Sequence, residues 1–172
     1  MKYIVTTVLL ITSVFSHAQA STMPQWFLES FKKHHLNDRY EIKPYLKPGF
    51  LQADFNGDGV IDIAVPVTEN KTHKGGILLI HGNTGEWFVF GAGTNFGNGS
   101  DNFLNWLKKW KLYRDKVVYE TTFDKDDNIT GSRTVKLKRP GIELLMLENI
   151  APDPVAVICW NGKKYIWIHQ GE

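Results

Sequence analysis

After Pro48 the chain breaks into short apolar runs punctuated by glycine and asparagine, a texture that constrains its fold more than any other feature. Residues 61–67, 77–80 and 87–90 have strand length and are bounded by turn formers, so they read as strands. Three turns mark where strands fold back. Asn161-Gly162 separates residues 155–160 from 165–169 and supplies the positive φ angles that a tight type I′ turn demands. Gly82-Asn83-Thr84-Gly85 joins 77–80 to 87–90, and Asp126-Asp127-Asn128 lies between 117–123 and 130–137. The two C-terminal strands are nearly continuous in apolar residues, which predicts burial on both faces rather than a wet edge.

Helical signals are confined to two segments. Thr22 with Gln25 three residues later, and Pro24 in the first turn, form a capping-box start for a helix through about residue 36, with Phe27, Phe31 and His35 on one face. A second helix is expected near 102–112, where Phe103, Trp106, Leu107 and Trp110 recur at helical spacing after Ser100 or Asp101 as cap. The expected class is therefore α+β, mostly antiparallel β-sheet with an N-terminal helix and a second helix near 102–112.

The N-terminus carries Lys2, an apolar run over residues 4–15 and Ala18-Gln19-Ala20, the three parts of a secretory signal peptide over residues 1–20, cleaved after Ala20. The run falls short of the roughly 20 residues needed to span a bilayer, so no membrane span is expected. Residues 21–172 then have the length of one domain, and the mature protein is expected to be secreted or periplasmic. Cys159 is the chain's single cysteine, which excludes an internal disulfide and reads as a buried, inert thiol. With 20 basic and 18 acidic residues, the charge offers no long basic face for nucleic acid or anionic lipid.

The segment that carries chemistry is Asp54-Phe55-Asn56-Gly57-Asp58-Gly59-Val60-Ile61-Asp62. It places side-chain oxygens at loop positions one, three, five and nine, with glycine at six. Calcium takes about six to eight oxygens, and alternate residues of a curled loop point inward while Gly59 permits the sharp turn. Asp54, Asn56, Asp58 and Asp62 would supply side chains and Val60 its carbonyl. Position twelve is Val65 rather than glutamate, so the loop is not an EF-hand.

The loop resembles that of the FG-GAP and VCBS-type repeats of integrin-like β-propellers and many secreted bacterial proteins. There an Asp-x-Asn-x-Asp-Gly-x-x-Asp loop runs directly into a buried strand, matched here by residues 54–62 and then Ile63-Ala64-Val65. The resemblance implies calcium and a loop-to-strand structure. A propeller needs roughly four to eight blades, and one copy of the motif does not predict a complete one.

Other candidates read more plainly. Asp124-Lys125-Asp126-Asp127-Asn128 lacks the glycine at six and is expected to be a metal-free turn. The glycine-rich stretch 91–99 has Phe96 where a dinucleotide fingerprint needs its third glycine, and reads as a loop. His34 and His35 point in different directions from a helix end, while His81 and His169 are expected to be structural. No nucleophile, base and oxyanion set is recognisable. The leading expectation is an exported, non-enzymatic domain in which calcium is structural and a protein or glycan partner binds elsewhere. The alternatives are a hydrolase of cell-wall or glycan material, with acids such as Glu120, Glu143 or Glu148, and an inhibitor or immunity-type protein.

Overall fold

Strands that alternate apolar side chains must cover one face or both, and here both faces of one antiparallel sheet are covered, while a second sheet has one face covered in full and the other in part. The computed structural model describes residues 22–97, 100–148 and 151–171. The helix α1 (Gln25–Lys33) precedes a five-stranded sheet of β1 (Tyr40–Ile42), β2 (Leu51–Ala53), β3 (Asp62–Glu69), β4 (Gly75–Ile80) and β5 (Trp87–Gly91). β3, β4 and β5 form an antiparallel meander, while β1 and β2 share the remaining edge of β3. Pro66 sits where that edge passes from one to the other: its carbonyl accepts from Lys43 N at 3.0 Å, so its missing donor falls in the gap of the ladder.

The second sheet has the order β11 (Tyr165–His169), β10 (Ala151–Trp160), β9 (Gly141–Glu148), β6 (Lys109–Tyr113). β7 (Val117–Phe123) and β8 (Ile129–Lys136) pair only with each other. Four layers result. Phe27 and Phe31 of α1 pack on Ile63, Val65, Leu78 and Ile80 on one face of the first sheet. The opposite face, with Ala64, Ile77, Leu79 and Phe90, meets Trp110, Ile142, Leu144, Ile158 and Tyr165 of the second. Beyond that, Val157, Cys159 and Ile168 pack against Val118 and Leu137 at the β7–β8 hairpin. This sandwiching explains why every residue of β3 is buried.

The mostly antiparallel architecture agrees with the expectation, and several details correct it. The segment at 102–112 is not a helix: a short 3₁₀ turn, Phe103–Asn105, capped by Asn102, runs into β6. The period of two in Lys109-Trp110-Lys111 buries Trp110, exposes both lysines and pairs with β9, and this tertiary pairing overrides the helical spacing of the aromatic residues. The first helix ends at Lys33 because His35 turns left-handed, with φ 54°, and Pro24 rather than Thr22 occupies its N-cap, without a side-chain bond. The C-terminal hairpin closes through four residues, not a two-residue type I′ turn: Trp160 pairs with Tyr165, and Asn161 Oδ1 accepts from Lys163 N and Lys164 N. β11 is an edge strand, half-buried at Ile166, Trp167 and His169, so within this hairpin burial on both faces holds only for residues 156–159 of β10. The signal segment lies outside the described residues, and no described helix is long and apolar enough to cross a membrane.

Candidate metal centre

The loop 54–62 connects β2 to β3, and both of its ends are tied to the interior. Phe55, 1 % exposed, inserts into the core between the sheets. Asp62, the first residue of β3, is fully buried; its Oδ2 accepts from Phe55 N at 2.8 Å and Asn56 N at 3.2 Å, and its Oδ1 from Gly82 N at 3.0 Å. Between these anchors the chain curls around Asp54. Asp54 Oδ1 accepts from Gly57 N at 2.6 Å and Asp58 N at 3.0 Å, and Oδ2 from Gly59 N at 3.0 Å. Gly57 and Gly59 make the curl possible with φ of 81° and 88°, a region that a β-carbon disfavours.

Asn56 and Asp58 are stitched together on the solvent side. Asn56 Oδ1 accepts from Asp58 N at 2.9 Å, Asn56 Nδ2 donates to Asp58 Oδ2 at 2.9 Å, and Asp58 Oδ1 accepts from Val60 N at 2.8 Å. The amide of Asn56 and the N–H of Val60 hold the Asp58 carboxyl below the ordinary carboxylate range. Burial does the opposite to Asp62, raising its pKa against the N–H bonds that favour its charge. Asp54, Asn56 and Asp58 are thus brought together at the exposed side, Val60 beside them is exposed, and Asp62 turns inward to amides. Among the described residues, no three His, Cys, Asp or Glu side chains converge as a metal-holding group.

The surroundings are more acidic than the loop alone. His81, 2 % exposed, places Nε2 2.8 Å from the Tyr165 hydroxyl and Nδ1 3.8 Å from Glu86 Oε2, and packs against the rings of Phe88 and Trp160. Burial pushes the Tyr165 phenol far above its ordinary range, and the charges of Asp62, Glu86, Asp54 and Asp58 push it further. Arg139 lies over the loop: its side chain is so close above Gly57 that a β-carbon there would come within 2.0 Å of Nε. His81, Gly82, Arg139 and Tyr165 all lie 19 or more residues from the loop in sequence, and no local pattern marks them.

The residues fit calcium by chemistry, since all five candidate donors are hard oxygens, and each carboxylate oxygen that accepts one N–H keeps a second lone pair. The acids considered for hydrolysis are differently placed. Glu120 on β7 pairs with Arg133 Nε at 2.5 Å, and Glu143 on β9, 5 % exposed, pairs with Lys111 Nζ at 2.7 Å. Glu148 ends β9, and its side chain lies outside the described residues. Cys159 is buried and its thiol is pushed up to about 11 by that burial, leaving little thiolate near neutrality. The second acidic turn is self-contained: Asp124 Oδ1 accepts from Asp126 N at 2.8 Å and Asn128 N at 3.0 Å. Comparison with family models, curated proteins and solved structures finds no match to the chain.

Proposed function

We propose that residues 21–172 form an exported, non-enzymatic calcium-binding domain, released after Ala20, in which calcium is structural and a partner binds elsewhere. The supporting observation is the curled loop 54–62. It gathers the side chains of Asp54, Asn56 and Asp58 and couples them through Asp62 to the backbone of Gly82 on the β4–β5 turn. Its donor spacing is that of a single FG-GAP or VCBS-type loop.

In this reading the ion adds the attraction that crowded carboxylates lack, and it draws Asp54, Asn56, Asp58, the Val60 carbonyl and Asp62 onto one point. Binding then fixes the junction of β2, β3 and the β4–β5 turn. The paired states of Glu120 and Glu143, each held by a cation on a neighbouring strand, favour a structural role for both acids over hydrolysis. The test is calorimetry of the mature chain with calcium. Binding that Asp58→Ala abolishes and Asp126→Ala spares supports the reading, and no heat at millimolar calcium removes it.

A further inference from the structure

A near-balanced overall charge conceals a local concentration of one sign. An open groove of about 720 Å³ on the second sheet is edged by Lys47, Lys108, Lys109 and Lys111, and no acidic side chain lines it among the described residues. Its floor is apolar: Leu145 pairs with Lys109 on one side and Pro154 on the other, so all three lie in one row across β6, β9 and β10. Lys111 is balanced by Glu143, and Lys108 donates to the carbonyl of Leu104 at 3.2 Å. Lys47 and Lys109 are exposed.

From this geometry we infer that the groove binds an anionic glycan, a chain of sugars carrying carboxylate or sulfate groups. The inference rests on the reading of the chain as a binding domain and names its partner. Spaced ammonium groups attract a repeating anion without demanding the fixed geometry that an arginine fork imposes, and the Leu145 and Pro154 floor suits the C–H faces of sugar rings. Nucleic acid fits less well because the aromatic groups are committed: Trp110 is 2 % exposed with its indole N–H on Pro48 O at 2.8 Å, and the Tyr45 hydroxyl donates to Gly76 O at 3.0 Å. Of the two rings that line the groove one is buried and the other is half-buried, so among the described residues no run of exposed rings lies there for successive bases to stack on. An acidic peptide joining the edge of β6 would meet the segment at Pro48 that Trp110 ties beside that strand.

Lysines along an edge strand also discourage pairing with other chains, so the experiment separates the two roles. The mature chain is titrated in chelator with an oligogalacturonate, a heparin oligosaccharide, neutral dextran, oligo-dT and polyglutamate. The expected result is binding to one or both anionic glycans, weakening as salt rises, with none to dextran. Lys47→Glu with Lys109→Glu should weaken it about tenfold or more, whereas Lys163→Glu with Lys164→Glu, an equal charge change on the exposed β10–β11 loop, should not. The carboxylated and sulfated arms identify which anion is preferred. All four lysines are exposed, and unchanged melting curves verify that the variants fold. Absence of glycan binding, equal weakening in both pairs, tighter binding of oligo-dT or polyglutamate, or oligomerisation of the groove variant with unchanged glycan binding each overturns the inference. Asp58→Ala should leave this binding intact, so failure of the calcium reading is seen separately.

Discussion

Two acidic loops in this chain use the same local device and end in different circumstances. In each, a leading aspartate folds the chain back by accepting backbone N–H groups, Asp54 from Gly57, Asp58 and Gly59, and Asp124 from Asp126 and Asn128. The first is bounded by Phe55 in the core and by the buried Asp62, whereas the second projects from a hairpin whose residues 124–133 are all exposed. Acidity and turn chemistry therefore do not distinguish a candidate site from a plain turn. Anchoring does, because only a loop fixed at both ends can hold several like charges at a set separation.

The largest effect should come from cutting the anchor. Phe55→Ala removes a fully buried ring between the two sheets and should cost about 3–5 kcal/mol. Phe123→Ala, the aromatic residue flanking the other turn and 41 % exposed, should cost under about 1 kcal/mol. Urea unfolding of both variants measures the difference, and similar losses would mean that the two loops are equally integrated.

Next in size is the ion itself. A ligand bound only by the folded state adds about 2.7 kcal/mol at 100 times its dissociation constant, enough to raise the melting temperature above that in chelator. Asp58→Ala should abolish most of that increment and Asp126→Ala should leave it intact. Identical wild-type melting curves with and without calcium would reduce the first loop to the status of the second.

Much of this contrast is legible before folding, and the missing part has a physical reason. The curl follows from residue types alone, since Gly57 and Gly59 permit positive φ and Asp54 and Asn56 supply local acceptors. The strands from β3 to β5 follow from their apolar runs and turn residues. The anchoring is not legible, because the amide of Gly82 and the side chain of Arg139 meet the loop only once the chain has folded. The same limit explains β6. Trp106 and Trp110 satisfy a helical period as well as Trp110 and Leu112 satisfy a strand period, and only the partner β9 decides between them. The lysine groove is hidden from composition for a related reason, as Lys47 lies 61 residues from Lys108 and the two meet only when the sheets pack.

A smaller effect tests the backbone of each loop. Nothing lies within 4 Å of a β-carbon built on Gly59, so space is available, yet its φ of 88° is strained for any other residue. Gly59→Ala should cost about 1–2 kcal/mol through that strain alone, in calcium or chelator. Asp127 already occupies a positive φ of 61° without glycine, and Asp127→Gly should change stability by no more than about 0.5 kcal/mol. A neutral Gly59→Ala would show that the curl is not required by the fold.

The smallest effect has opposite signs in the two loops. Burial raises the Asp62 pKa above its ordinary 3.8, while the N–H groups and side chain of Asn128, with Asp126 N, lower that of Asp124. A raised carboxyl binds its proton more readily folded than unfolded, so its contribution is fully present below 3.8 and is lost as pH rises through the folded value. A depressed carboxyl behaves in reverse: its contribution is present above 3.8 and is lost as pH falls through the folded value. In chelator, stability differences between wild type and Asp62→Asn should thus shrink with rising pH, and those for Asp124→Asn should shrink with falling pH. Calcium should reverse the first trend and leave the second unchanged, because an ion held by Asp62 requires the ionised carboxylate. Urea unfolding across the acidic range reads both trends, and slopes of one sign in chelator would show that Asp62 is not held in the interior as its burial requires.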